Sequence, residues 1–182
     1  MSCTLEFMVD WDATDWTDTP DFSEAIDDIT AYVKLPYDID RGKNNERGNS
    51  PAGTLNVVLR NDSLRFSPCY LWSPLYGKMR PWLPVRVRGT VVGVGTYTIF
   101  TGFISKITVD PDPNVQEAIL YCTDGTDLLA RQQVTQDMNN RTTTSDGGAL
   151  GKLLDAAGWP AGKRAIDTDG GNVVQWPNTV EF

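Results

Sequence analysis

The 182-residue chain contains no histidine. That removes the usual general base near neutral pH, every Ser-His-Asp or Cys-His arrangement, and the commonest zinc ligand. Cysteine is scarce: Cys3, Cys69 and Cys122 are widely separated and odd in number, with no CxxC pair and no metal-ligand spacing. Cys122 lies in the apolar stretch Ala118-Ile119-Leu120-Tyr121-Cys122 and reads as a buried, inert thiol. Unpaired thiols of this kind fit a reducing compartment. No apolar run approaches the ~20 residues needed to cross a bilayer as a helix. The first residues show no basic region followed by an apolar stretch, so no secretory signal is expected, and the chain is expected to be soluble and made in a cytoplasm. Basic residues are outnumbered, 16 against 24 acidic, for a net charge of −8. Gripping nucleic acid through its phosphates needs clustered Lys and Arg, and this chain is not expected to do so.

What is present is ordinary for a globular protein: 40% hydrophobic and 22% charged residues. The length suits one substantial domain, or one domain and part of a second. Leu5-Glu6-Phe7-Met8-Val9-Asp10-Trp11 alternates loosely and predicts a strand. Residues 29–35 and 54–60, rich in β-branched and aromatic side chains, predict two more. Between the first two lies an acidic stretch with Trp11 and Trp16, read as a solvated loop whose tryptophans pack on a neighbouring surface. Residues 41–51, polar and glycine-punctuated, are expected to be a surface loop. The proline- and aromatic-rich run from Tyr70 to Pro84 cannot be a helix and is expected to be an ordered connection laid over a core. Val85-Arg86-Val87-Arg88 alternates apolar and basic residues, a half-exposed strand. A glycine-assisted turn at 91–95 leads into a long strand in which Gly102 suggests a bulge. A further strand is expected over 117–122, a short helix capped by Asp124, and a second helix over 145–158 with Leu150, Leu153, Leu154 and Ala157 on one face. Gly158 followed by Trp159-Pro160 is its stop signal. Residues 172–182 read as strand-like. The expected class is mainly β with short helices (α+β): an antiparallel barrel or sandwich over 1–135, and a helix-containing extension over 136–182 in which a second domain could begin.

Candidate sites are weak. Asp10, Asp12 and Asp15 hint at a calcium loop, but Thr14 stands at the fifth position and Trp16 follows where ligands or turn residues are needed. Asp10/Asp12 and Asp110/Asp112 are paired carboxylates, yet neither pair has the apolar setting that would raise one pKa for glycoside hydrolysis. Gly93-x-Gly95 has no helix after it and is not a phosphate loop. Gly147-Gly148 opens a helix and reads as a flexible entry to it. No catalytic, metal-binding or cofactor-binding residue is assigned, no cofactor is expected, and the chain is read as a non-enzyme.

Several segments, in consistent order over about residues 25–160, resemble a family. Ala52-Gly53-Thr54 opening a strand, then Asn61, Phe66 and Pro68, resembles a stretch near the start of the minor tail proteins, or tail-tip (baseplate) hub proteins, of long-tailed bacteriophages. Gly77, Arg80 and Pro84 continue the likeness. So do Gly102 in Phe100-Thr101-Gly102-Phe103-Ile104, and Asp124, Leu128 and Leu129 at a strand-to-helix junction. The resemblance implies a structural hub, often a trimer, built as a ring of β-barrel domains. Such a ring joins the tail tube to distal tail proteins and to receptor-binding or fibre proteins, and lets DNA pass without specific binding. Its place is the virion tail. Family members are commonly longer, so the chain is expected to be a split or truncated version of such a hub, with other chains supplying the rest. Three copies at −8 each would carry −24, which would repel DNA passing along a shared channel. Trp11, Trp16, Trp72 and Trp82, read as exposed, prompt the alternative of a receptor- or carbohydrate-binding tail module.

Overall fold

The computed structural model describes residues 3–40, 51–110, 112, 115–131, 144–164 and 173–174. Its elements are β1 (Cys3–Val9), β2 (Val33–Asp40), β3 (Thr54–Arg60), β4 (Pro84–Val91), β5 (Gly95–Val109), β6 (Glu117–Thr123), α1 (Gly125–Arg131), β7 (Thr144–Ser145), α2 (Asp146–Ala156) and β8 (Val173–Val174). The chain divides into two compact units, Met1–Leu128 and Leu129–Phe182. Among the described residues the protein is thus mainly antiparallel β with two short helices.

Alternation decides which side of each strand faces inward. In β3, Leu55, Val57 and Leu59 are buried while Thr54, Asn56 and Val58 are only half so, as a period of two requires. β4 sends Val85 and Val87 inward and leaves Arg86 and Arg88 half-exposed. On the outer side Arg88 pairs with Glu6 of β1 at 2.5 Å. Six strands form one curled antiparallel sheet, a half-barrel, in the order β1-β4-β5-β6-β3-β2. β5 is long because it serves two partners: its first half pairs with β4 (Val91↔Gly95 to Pro84↔Phe103), its second half with β6 (Phe103↔Thr123 to Val109↔Ala118). Register slips at Ile99 against β4 and at Ser105 against β6 add the local twist that lets one strand bend between the two.

Gly102 is therefore not a bulge; it pairs in register with Val85. A Cβ there would lie 2.3 Å from the Thr123 carbonyl oxygen and 2.8 Å from the Phe100 ring, so close packing demands glycine. The strand expected over 29–35 is also displaced. The Asp28 carboxylate takes the Thr30 amide at 2.9 Å, residues 30–32 make a 3₁₀ turn, and β2 begins only at Val33.

The aromatic connection is ordered, as expected. Its backbone makes a turn every third residue: Leu64 N–H to Asn61 O, Ser67 to Leu64, Tyr70 to Ser67, Ser73 to Tyr70 and Tyr76 to Ser73, at 2.8–3.1 Å. This ribbon of linked turns satisfies backbone groups locally where prolines forbid a helix, and it drops Phe66, Leu75 and Leu83 fully into the core. Pro84, also buried, starts β4.

In the second unit, α2 ends in a Schellman motif. Trp159 N–H bonds Leu154 O at 2.8 Å, Gly158 N–H bonds Asp155 O at 3.0 Å, and Gly158 has φ +74°. Leu153, Leu154 and Ala157 are half-buried, but Leu150 is exposed, so the expected apolar face is narrower. The loop expected over 41–51 lies outside the described residues except for Pro51, as does the C-terminal strand except for Val173 and Val174.

Candidate functional site

Several of the positions that carried the family resemblance tie parts of the sheet together. Gly53, at the start of β3, exchanges two bonds with Asp124, which follows β6. Gly53 N–H donates to Asp124 Oδ2 at 2.8 Å, and Asp124 N–H donates to Gly53 O at 2.9 Å. Asp124 Oδ1 also accepts the Thr126 amide at 2.9 Å, so one carboxylate caps α1 and clasps a neighbouring strand. A Cβ on Gly53 would meet that carboxylate at 2.9 Å. Leu128 is buried beneath this junction and Leu129 is half-buried. Ala52, just before Gly53, is half-buried.

Asn61 is the second joint. It is 1% exposed; its Oδ1 accepts the Phe66 amide at 2.8 Å and its Nδ2 donates to Ser67 Oγ at 3.0 Å. The spacing between Asn61 and Phe66 is the reach of one side chain across the first two turns of the ribbon. Pro68 is exposed on that ribbon, and Gly77, with φ +76°, supplies a left-handed turn. Arg80 donates to the Ala13 carbonyl and so ties the ribbon to the acidic segment 10–28.

Beside the Gly53–Asp124 joint lies an open cleft of about 240 Å³, lined by Asp40, Gly53, Ile99, Phe100, Thr101 and Asp124. Two carboxylates face it, and Asp124 is committed to backbone amides. The paired carboxylates elsewhere are structural. Asp10, 4% exposed, accepts amides from Asp12, Ala13 and Asp21 at 2.8–3.1 Å. Asp12 pairs with Lys78 at 2.7 Å. Asp110 accepts the Asp112 amide at 2.9 Å. Among the described residues no group of three His, Cys, Asp or Glu side chains could hold a metal ion. Gly93 and Gly95, with φ +83° and +144°, form the β4–β5 turn. Cys122 is buried, and burial pushes its thiol up to about 12; Cys3 and Cys69 are exposed.

The four tryptophans that suggested an exposed aromatic set do not form one. Trp11 is 1% exposed and packs against Phe66, ring centroids 6.4 Å apart; Trp16 and Trp82 are half-buried. Only Trp72 is open, at 85%, beside Leu71 at 70%, with Tyr76 also exposed. These three sit on residues 66–77, a stretch without a single charge. The hairpin tip offers a second apolar surface, Val92, Val94 and Tyr97, within the uncharged stretch 89–105. Large apolar side chains held out by an ordered backbone mark contact surfaces. The distant joints (Gly53–Asp124, Arg80–Ala13) could not be read from spacing, because strand alternation assigns faces and not neighbours.

No helix among the described residues is long and apolar enough to cross a membrane. No protein-family model matches the chain, and no curated protein matches it.

Proposed function

We propose that the protein is a structural component of a bacteriophage tail tip or baseplate hub. It works by being held between copies of itself, in a ring and by family resemblance a trimer, and between tail-tube, distal tail and fibre proteins. The observation that carries the reading is the ordered, uncharged stretch 66–77 of the ribbon, which presents Leu71, Trp72 and Tyr76 to solvent on a chain of net charge −8. Such a surface suits a protein partner and offers no grip on phosphates. The ordered motif from Ala52 to Leu129 resembles that family, and Gly53, Asn61 and Asp124 within it tie parts of the half-barrel together. A stiff scaffold with apolar patches is what an assembly subunit needs. The net negative charge fits a passage through which DNA slides without adhering.

Native mass spectrometry of the purified protein, together with imaging of tails from phage carrying a tagged copy, tests the reading. Ring-sized oligomers and density at the tail tip are expected; a lone monomer that turns over a substrate would overturn it. A receptor- or carbohydrate-binding tail module is the second reading, favoured by the openness of Trp72, since one exposed ring can stack on a sugar face. Glycan-array binding by the monomer that is lost in Trp72→Ala would favour this second reading over the first.

A further inference from the structure

The whole net charge of the protein resides in one segment. Residues 10–28 hold eight carboxylates and no basic residue, and the rest of the chain is balanced, 16 acidic against 16 basic. A stretch so charged repels itself, yet it is laid down in order. Two buried carboxylates organise it from its ends. Asp10 accepts the amides of Asp12, Ala13 and Asp21. Asp27, 2% exposed, accepts the Glu24 amide at 3.2 Å and the Trp11 amide, so the end of the segment grips its beginning. Cations from the ribbon and β4 complete the hold. Lys78 pairs with Asp12, Arg80 reaches Ala13 O, Arg65 reaches Ile26 O at 3.5 Å, and Arg86 lies 4.2 Å over the Phe22 ring.

We propose that residues 10–28 form a proton-sensitive clasp that closes over Trp11 and the outer edge of β1, and uncovers both when it opens. Closed, it covers the edge of β1: Val9 N–H donates to Asp27 O at 2.9 Å, and Ile29, just past the clasp, donates its N–H to Phe7 O at 3.0 Å. Closure carries two costs. The Trp11 indole N–H is buried with no hydrogen-bond partner among the described residues, and Asp27 must sit as a charge away from water. Burial is the main cause that raises the Asp27 pKa. The amides of Glu24 and Trp11 oppose it, and the neighbouring Asp10 and Glu24 carboxylates add to it. From the ribbon, the Lys78 amine faces Asp12, Glu24 and Asp27 and favours the ionised forms. Of the ionisable side chains of β1, Glu6 is paired with Arg88 and Cys3 is exposed at the far end of the strand from Val9. A carboxyl whose pKa is higher closed than open takes up a proton on closing. Closure is therefore favoured as pH falls through that pKa and weakened as pH rises. An opened clasp bares a strand edge and a tryptophan, the materials of a new protein contact. The inference goes beyond the tail-tip reading and does not depend on it.

Amide hydrogen exchange of the full chain tests it, with rates corrected for the intrinsic pH dependence. Protection of the Asp12, Ala13, Asp21 and Glu24 amides is expected to be about threefold or more higher on the acid side of the Asp27 transition than on its alkaline side, while Leu55, Val57 and Leu59 of β3 stay constant. Asp27→Asn should hold the high protection at both. Glu24→Gln, a change at an exposed side chain, should move the transition to lower pH, and it decides the matter alone if Asp27→Asn does not fold. Clasp amides that exchange in step with β3, or a profile that neither variant alters, would overturn the proposal.

Discussion

Phe7 and Tyr37 meet edge to face, ring centroids 5.2 Å apart and planes at 68°, although they belong to β1 and β2, the two outermost strands of the sheet. The sheet curls until its edges share a core contact, with residues 27–32 bridging the gap. Phe7→Ala should destabilise the protein by about 3–5 kcal/mol, the usual loss for a buried phenylalanine. A double-mutant cycle with Tyr37→Leu should show a coupling of roughly 0.5–1.5 kcal/mol in urea denaturation. Additive effects would mean that the edges do not communicate through this pair.

Asn61 gives a second, sharper prediction. Asn61→Ala strands the buried Phe66 amide, a loss of about 2–3 kcal/mol in urea unfolding. Ser67→Ala removes only the partner of Nδ2 and should cost less, about 1 kcal/mol. Equal losses would show that the ribbon is not hinged on the Phe66 amide.

Three glycines should rank by what a methyl group meets. Gly102→Ala drives into the Thr123 backbone at 2.3 Å and should abolish folding or cost several kcal/mol. Gly53→Ala meets the Asp124 carboxylate at 2.9 Å and should be intermediate. Gly77→Ala meets nothing within 4 Å and pays only for its positive φ, roughly 1–2 kcal/mol. Thermal unfolding midpoints of the three variants measure the order.

Thiol titration separates Cys122 from its fellows. Near pH 8 its thiolate fraction is on the order of 10⁻⁴, given a pKa of about 12, and its side chain is enclosed. Cys3 and Cys69 should react with an aromatic disulfide reagent in the native state, and Cys122 only after unfolding. The neutral buried thiol contributes its stability fully below the unfolded cysteine pKa, and that contribution is lost as pH rises toward about 12. Three native thiols reacting at one rate would contradict the packing around β6.

Trp72→Ser should leave unfolding within about 0.5 kcal/mol of the parent, since the side chain is exposed, while weakening self-association in sedimentation velocity. An unchanged oligomer distribution would remove the ribbon from the proposed contacts.

Much of this molecule was legible in the sequence because the signals were local. The strand at 54–60, the turn after Val91, the Asp124 cap, the Gly158 stop and the ordered aromatic connection follow from alternation, φ preference and capping, which act within a few residues. β2 starts later than strand propensity implies, because a local bond from the Thr30 amide to the Asp28 carboxylate outcompetes it. The need for glycine at 102 is not local, because its constraint comes from Thr123, on the next strand. Trp11 sits among carboxylates that suggest solvent, yet it packs on a neighbouring surface, and the chain folds those carboxylates around it.

By itself the sequence determined the strand-rich class, the absence of imidazole chemistry and the gathering of all net negative charge into residues 10–28. Only the tertiary structure decided that Gly53 clasps Asp124, that Phe7 reaches Tyr37, and that Trp72 alone of the four tryptophans faces open solvent. The reason is physical. Side-chain period and turn chemistry are properties of neighbouring residues, whereas the identity of a strand's partner depends on closing long loops, and no spacing along the chain encodes which closure wins.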